Sequence, residues 1–236
     1  SANNTSIFLA TQTGYKGLER KDTAFTPRIA LSAKLNEDHN FYMSYAQGIK
    51  AGGFDPRARA DLDPIGLSRD GFGPETVNSY EAGFKGNFFD NIVTYSVAGF
   101  VADYIDQQIT VQQGADTNND GINDTFISSV FNAGKSKYAG LEFESAVKVT
   151  DDLTLTAMGG FIDAKIEEIL SGGVNIASAF VTQNTPELTG RFGFNYAHDL
   201  ENLGNVVLTG SVAYRSEYNL FNAPNPGFAA GTSAIF

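Results

Sequence analysis

The chain has 236 residues with no cysteine or tryptophan, and its 27 acidic and 16 basic side chains give a net charge of −11. The lack of cysteine excludes a disulfide scaffold and a thiolate metal site, and the acidic balance argues against a nucleic-acid partner. No apolar run approaches the ~20 residues of a membrane-spanning helix, while a mean hydropathy of −0.17 is the average expected where lipid-facing and water-facing side chains alternate.

Helical periodicity is almost absent, and period-2 alternation runs from residue 25 onward. Phe25, Ile29, Leu31, Ala33 and Leu35 share one face, with Arg28, Ser32 and Lys34 on the other. Phe41, Met43 and Tyr45 follow. The next segment sets Tyr80, Ala82, Phe84 and Phe88 against Ser79, Glu81 and Lys85. Val93, Tyr95, Val97, Gly99 and Val101 then oppose Thr94, Ser96 and Ala98. Beyond them come Leu141, Phe143 and Val147 opposite Glu142 and Glu144, then Leu153, Leu155 and Phe161 opposite Thr154 and Thr156. Phe192, Phe194 and Tyr196 oppose Arg191 and Asn195; Val206, Leu208 and Val212 oppose Thr209, Ser211 and Arg215. About nine strands can be read, with charges and small residues repeatedly on one face.

A soluble β-sandwich alternates as well, so two asymmetries matter more. The connections alternate in length. Asn36-Glu37-Asp38, Asp90-Asn91, Thr150-Asp151-Asp152 and roughly 199–205 are short, whereas 50–75, 114–124 and 169–184 are long. An up-and-down membrane barrel has short periplasmic turns at one end and long extracellular loops at the other. In addition, strand-like sequence runs unbroken over 92–112, far beyond the ~3–10 residues of a soluble strand. The expected architecture is therefore all-β: an antiparallel transmembrane barrel segment bounded by outer-membrane lipid. The aromatics Phe41, Tyr42, Tyr45, Phe88, Phe89, Tyr104, Tyr196, Tyr214 and Tyr218 cluster near strand ends, as interfacial girdles do.

The segment Tyr42-Met43-Ser44-Tyr45-Ala46-Gln47-Gly48-Ile49-Lys50-Ala51-Gly52-Gly53-Phe54 resembles a stretch of TonB-dependent outer-membrane receptors. So do Pro74-Glu75-Thr76-Val77-Asn78-Ser79-Tyr80-Glu81, Asp103-Tyr104-Ile105-Asp106-Gln107-Gln108, Asn132-Ala133-Gly134-Lys135-Ser136, Gly140-Leu141-Glu142-Phe143-Glu144 and Thr185-Pro186-Glu187, in that order. The resemblance implies a Gram-negative cell outer-membrane location and a barrel of about 22 strands. It also implies an N-terminal plug pulled by the TonB complex, and import of a scarce nutrient such as a ferric siderophore. Residues 1–236 then form one partial barrel domain, without its plug and terminal strands. Both ends read as cut: Ser1 opens in a turn-like stretch without a signal peptide, and Ala223-Pro224-Asn225-Pro226-Gly227 reads as loop. The alternatives are a passive porin and a soluble calcium-binding β-sandwich adhesin.

Asp116, Asn118, Asp120, Ile122 and Asp124 carry the spacing of positions 1, 3, 5, 7 and 9 of a calcium loop, with Gly121 at the sharp turn. Position 12 is Ile127 rather than glutamate, and a polar turn of good turn formers explains the same residues. Gly134-Lys135-Ser136 ends like a phosphate loop, but the first glycine is replaced by Ser129. His39 and His198, the only histidines, sit beside short turns and lack a nucleophile with the right surroundings, so an enzyme is not expected. Glu81, Lys85, Glu142, Glu144, Lys148 and Arg191 should face the lumen, either against plug or substrate or as a solvated wall. Arg57, Arg59 and Arg69 in the first long loop could draw an anionic ligand, but Asp55, Asp61, Asp63 and Asp70 interleave with them.

Overall fold

A computed structural model describes residues 18–56, 71–115, 120–122, 124–132, 134–171, 174–220 and 229–230. One antiparallel sheet of eight strands, joined in chain order, forms the wall. Its members are β1 (Arg28–Lys34), β2 (His39–Lys50), β3 (Glu75–Phe88), β4 (Val93–Ile105), β7 (Lys135–Lys148), β8 (Leu153–Glu168), β11 (Leu188–Asp199) and β12 (Asn205–Arg215). Between β4 and β7 the chain leaves the sheet as a separate hairpin, β5 (Gln108–Ala115) and β6 (Thr125–Asn132). The two-residue strands β9 (Leu170–Ser171), β10 (Val174–Asn175), β13 (Tyr218–Asn219) and β14 (Ala229–Ala230) lie in or after the later connections. β1 and β12 are the outermost strands of the wall among the described residues. No helix among the described residues is long and apolar enough to cross a membrane.

The turns at one end are short because local side chains close them. Asn36 Oδ1 accepts from the backbone N–H groups of Asp38 (2.9 Å) and His39 (2.8 Å). Thr150 Oγ1 does the same for Asp152 (3.3 Å) and Leu153 (3.0 Å). Phe89, Asp90 and Asn91 turn through positive φ of 55°, 54° and 69°. All the long connections leave from the other end, so the expected short–long alternation holds around the whole sheet.

Register carries the alternation across every strand. Leu31 pairs with Met43, Phe41 with Phe84, Phe84 with Val97, Val97 with Phe143, Leu155 with Phe194 and Phe192 with Val212. These side chains form one continuous apolar face that no other described element covers: Leu141 is 59% exposed, Phe192 50% and Val97 39%. A sandwich would bury this face against a second sheet, and here the other sheets have two strands each. From Val93 to Val101 the apolar run rises ~26 Å along the strand, or ~20 Å at ~40° tilt. That matches an apolar belt of ~25 Å.

Two expectations are corrected. The strand expected to run unbroken over 92–112 ends at Ile105. Asp106 takes a positive φ of 55° and gives its N–H to the Gly134 carbonyl (2.6 Å), which turns β5 out of the wall. The length argument rests instead on β8, whose 16 residues exceed the usual soluble range. Among the described residues the wall has eight strands, in keeping with the about nine read from the sequence. Among the girdle aromatics, Tyr42 and Tyr104 share the polar face with Gly83 and Ser136. Outward clusters do sit at both ends of the apolar belt. Phe88 stacks on Tyr95 (5.2 Å) beside His39 near the short turns, and Tyr45 meets Tyr80 (5.1 Å) near the long ones.

Candidate functional site

The outward apolar face ends in a polar row. Gln47, Asn78, Asp103, Lys137 and Lys165 are consecutive register partners across five strands. Gln47 Nε2 donates to Asn78 Oδ1 (3.0 Å), Lys137 Nζ lies 3.7 Å from Asp103 Oδ1, and Lys165 Nζ donates to Asp163 Oδ2 at 2.6 Å. On the short-turn side of the row the outward face is mainly apolar, with Tyr45, Tyr80 and Val101 next to it. A change from apolar to polar side chains along the strands is what a barrel wall has at the margin of its apolar belt.

The opposite face gathers the charges that the alternation assigned to it. Glu81, Glu142, Glu144 and Arg191 line one open depression of about 640 Å3, together with Tyr42 and Arg215. Its floor is low because Ala98 and Gly160 occupy the strands between. Arg191 donates to Ser211 Oγ (2.8 Å), and Lys85 Nζ sits 4.9 Å above the Tyr42 ring. Lys148 lies on the same face of β7 as Glu142 and Glu144, farther toward the short turns. The carboxylates come from β3 and β7 and the guanidinium groups from β11 and β12. Arg215, whose guanidinium stacks over Tyr218 at 4.8 Å, was not among the lumen charges singled out from the sequence, although its parity with Thr209 and Ser211 places it on this face.

At the end of the long connections, the stretches that carried the resemblance converge. Gln108 Nε2 donates to the carbonyls of Ala51 (2.9 Å), Gly73 (3.0 Å) and Lys50 (3.4 Å). The Gln108 backbone N–H donates to Glu75 Oε2 at 2.7 Å. Asn132 Oδ1 accepts from Gly73 N (2.6 Å), while its Nδ2 donates to the carbonyls of Asp106 (2.6 Å) and Gly73 (3.1 Å). Gly134 has φ +103°, and an added Cβ would stand 2.6 Å from the Glu168 carbonyl oxygen. The glycine that looked like part of a phosphate loop serves this turn.

On the polar side of the same end, Tyr104 and Tyr138 meet edge to face (5.2 Å), and Gln107 Nε2 donates to the Tyr138 hydroxyl (3.3 Å). A smaller hollow of about 210 Å3 opens there between Gln107, Tyr138, Ile166, Thr182, Gln183 and Asn184. All of its polar groups are neutral, so it suits a hydrogen-bonding rather than a charged part of a ligand.

The hairpin tip is only partly described. Asp120 Oδ1 accepts from Ile122 N (2.8 Å), Gly121 has φ +87°, and Ile122 is 69% exposed. Asp116 and Asn118 lie outside the described residues, as do Arg57, Arg59, Arg69, Asp61, Asp63 and Asp70. The two histidines are not brought together. His39 on β2 meets the Tyr95 hydroxyl (3.2 Å) and His198 on β11 meets Asp152 Oδ2 (2.7 Å), with four strands between them.

The family described as "TonB dependent receptor-like, beta-barrel" matches residues 3–232. The chain is similar to the ferric yersiniabactin uptake receptor FyuA from Yersinia pestis, with 20% identity and a TM-score of 0.64. That likeness covers 87% of this chain and 28% of FyuA. The ferric preacinetobactin receptor BauA from Acinetobacter baumannii matches at 16% identity and a TM-score of 0.60, over 88% of this chain and 28% of its own. The copper transporter OprC matches at 14% and 0.62, over 89% of this chain and 29% of its own. The chain thus spans under a third of the length of these structures, and at such identities the likeness shows the fold.

Proposed function

This chain belongs to the TonB-dependent receptor-like β-barrel family, and from that premise we propose that it is part of the wall of an outer-membrane receptor driving TonB-energised uptake of a scarce nutrient, a ferric siderophore first. The observation that carries the reading is the eight-stranded wall itself. It has one uncovered apolar face, one charged face, and long connections at a single end. The apolar face meets membrane lipid. The polar face, with Glu81, Glu142, Glu144, Arg191 and Arg215, meets the plug or the passing ligand. The long connections and the hollow beside Tyr138 gather ligand outside the cell.

FyuA and BauA are ferric-siderophore receptors by name, which supports iron as cargo; OprC shares the fold and is a copper transporter. Family membership favours the reading over a passive porin, and the exposed apolar face favours it over a soluble adhesin. The proposal includes a calcium ion at the hairpin tip, held by Asp116, Asn118, Asp120, the Ile122 carbonyl and Asp124.

The test is accumulation of radioactive iron in a Gram-negative host stripped of its own siderophore receptors. The host expresses the full-length protein that contains this sequence and is offered a panel of ferric siderophores. Uptake of at least one of them, lost when TonB is deleted, is expected. No uptake from the panel removes iron as the cargo, and uptake that persists without TonB points to a passive channel.

A further inference from the structure

Three long connections that are far apart in sequence meet at the dipeptide Gln108-Ile109. Gln108 and Asn132 are the first rung of the β5–β6 hairpin. The Gln108 side chain reaches toward the connection between β2 and β3 and bonds carbonyls on both of its legs, Ala51 on one and Gly73 on the other. Asn132 doubles the bond to Gly73 and also holds the Asp106 carbonyl, where the hairpin leaves the wall.

Ile109, next along β5, points the other way, because successive strand side chains alternate. It is 6% exposed and packs with Ile169 and Ala177 of the connection between β8 and β11, joined by Ile166, Ile176 and Phe180. That connection is folded on itself by Asn175, whose Oδ1 accepts from the Ile169 and Ala177 N–H groups, both at 3.0 Å. Its Nδ2 donates to the Glu167 carbonyl, also at 3.0 Å. The apolar cluster around Ile109 holds three of the four buried apolar side chains among the described residues. Among the described residues, buried apolar packing is concentrated in this small core.

We propose that Gln108, Asn132 and Ile109 are positioning residues that yoke the three outward connections into one body, so that the root of none moves without the other two. The physical basis is additive. Unmaking the clasp leaves several part-buried carbonyls and N–H groups without partners, which disfavours the parted state. Moving the hairpin root also lifts Ile109 from its seat. The proposal rests on the reading of these connections as ligand-gathering loops, since it explains how ligand seized by one loop would be felt by the others.

Its test needs no ligand. The full-length protein in lipid nanodiscs carries spin-label pairs at Ile122 and Leu203, at Ser178 and Leu203, and at Phe89 and Leu203. The first pair reports the hairpin, the second the β8–β11 connection, and the third the frame of short turns. Gln108→Glu keeps the shape of the side chain and removes its amide donor. It should broaden the first two distance distributions roughly twofold and leave the third unchanged, as local unfastening does. Ile109→Ala should give the same pattern.

The proposal is overturned if Gln108→Glu loosens only the hairpin, because the loops are then independent. It is overturned equally if the third pair broadens too, because the wall itself has then slackened, or if no distribution changes. Iron uptake is scored separately. A protein that imports iron without coupled loops loses this inference and keeps the functional reading; coupled loops without uptake do the reverse.

Discussion

Charge placed along the outward face of β4 measures directly which medium touches it. Val93, Val97 and Val101 lie on that face at four-residue intervals, with Val97 between Phe84 and Phe143 at the centre. Four residues at ~3.3 Å each and ~40° tilt put Val93 and Val101 about 10 Å below and above Val97. In an apolar belt of ~25 Å, Val97 is then at the midplane and the other two are close to the interfaces. Arginine on a barrel's lipid face costs ~2–4 kcal/mol at the midplane and ~0–1 kcal/mol near the interfaces. Val97→Arg should therefore lower the folding equilibrium roughly 30- to 900-fold, while Val93→Arg and Val101→Arg stay within about fivefold. Ser96→Arg turns the charge to the polar face, opposite Glu144, and should cost less than Val97→Arg. The assay is urea titration of the full-length protein folded into phospholipid vesicles, read by the heat-modifiable shift of the folded band. A flat profile over the three valines, or equal costs at Ser96 and Val97, would refute the lipid-facing assignment.

Replacing Gly134 by alanine forces a side chain into φ +103° and against the Glu168 carbonyl; a loss of about 1–3 kcal/mol should appear as faster proteolysis of the hairpin root, with the wall left intact. The pair between His198 and Asp152 is largely open to solvent, with side chains 46% and 37% exposed. Asp152→Asn should lower the unfolding free energy measured by urea titration by no more than ~1 kcal/mol, and a larger loss would mean that the turns are tied more tightly than the geometry allows. Calcium at the hairpin tip predicts that millimolar Ca2+ protects the 116–124 segment from protease, that Asp120→Ala abolishes the protection and that Mg2+ fails to replace it. Equal cleavage with and without Ca2+ removes that site.

What the sequence made legible was whatever depends on neighbours along the chain. Asn36 and Thr150 close their turns with their own side chains, so the short connections could be placed from residue types alone. The parity of Val93, Val97 and Val101 against Ser96 and Ala98 likewise sufficed to sort wall from lumen. What it hid depends on distant partners. Parity runs on through Asp103, Ile105 and Gln107, yet the strand breaks at Asp106 because Gly134 and Asn132, some thirty positions away, capture its backbone. Tyr42 and Tyr104 were grouped with the girdle by residue type, although their parity with Gly83 and Ser136 put them on the polar face. The roles of Gln108 and Asn132 were invisible for the same reason: an amide in a loop carries no mark of the carbonyls it will meet.

The two edges of the wall carry a consequence for how such a protein reaches its membrane. Along β1 and β12 every second residue points its N–H and C=O away from the sheet, and inside hydrocarbon each orphaned group costs several kcal/mol. A wall of eight strands set into lipid by itself would hold a ladder of such groups on either flank. Strand-by-strand entry is therefore uphill at every stage short of circumferential closure.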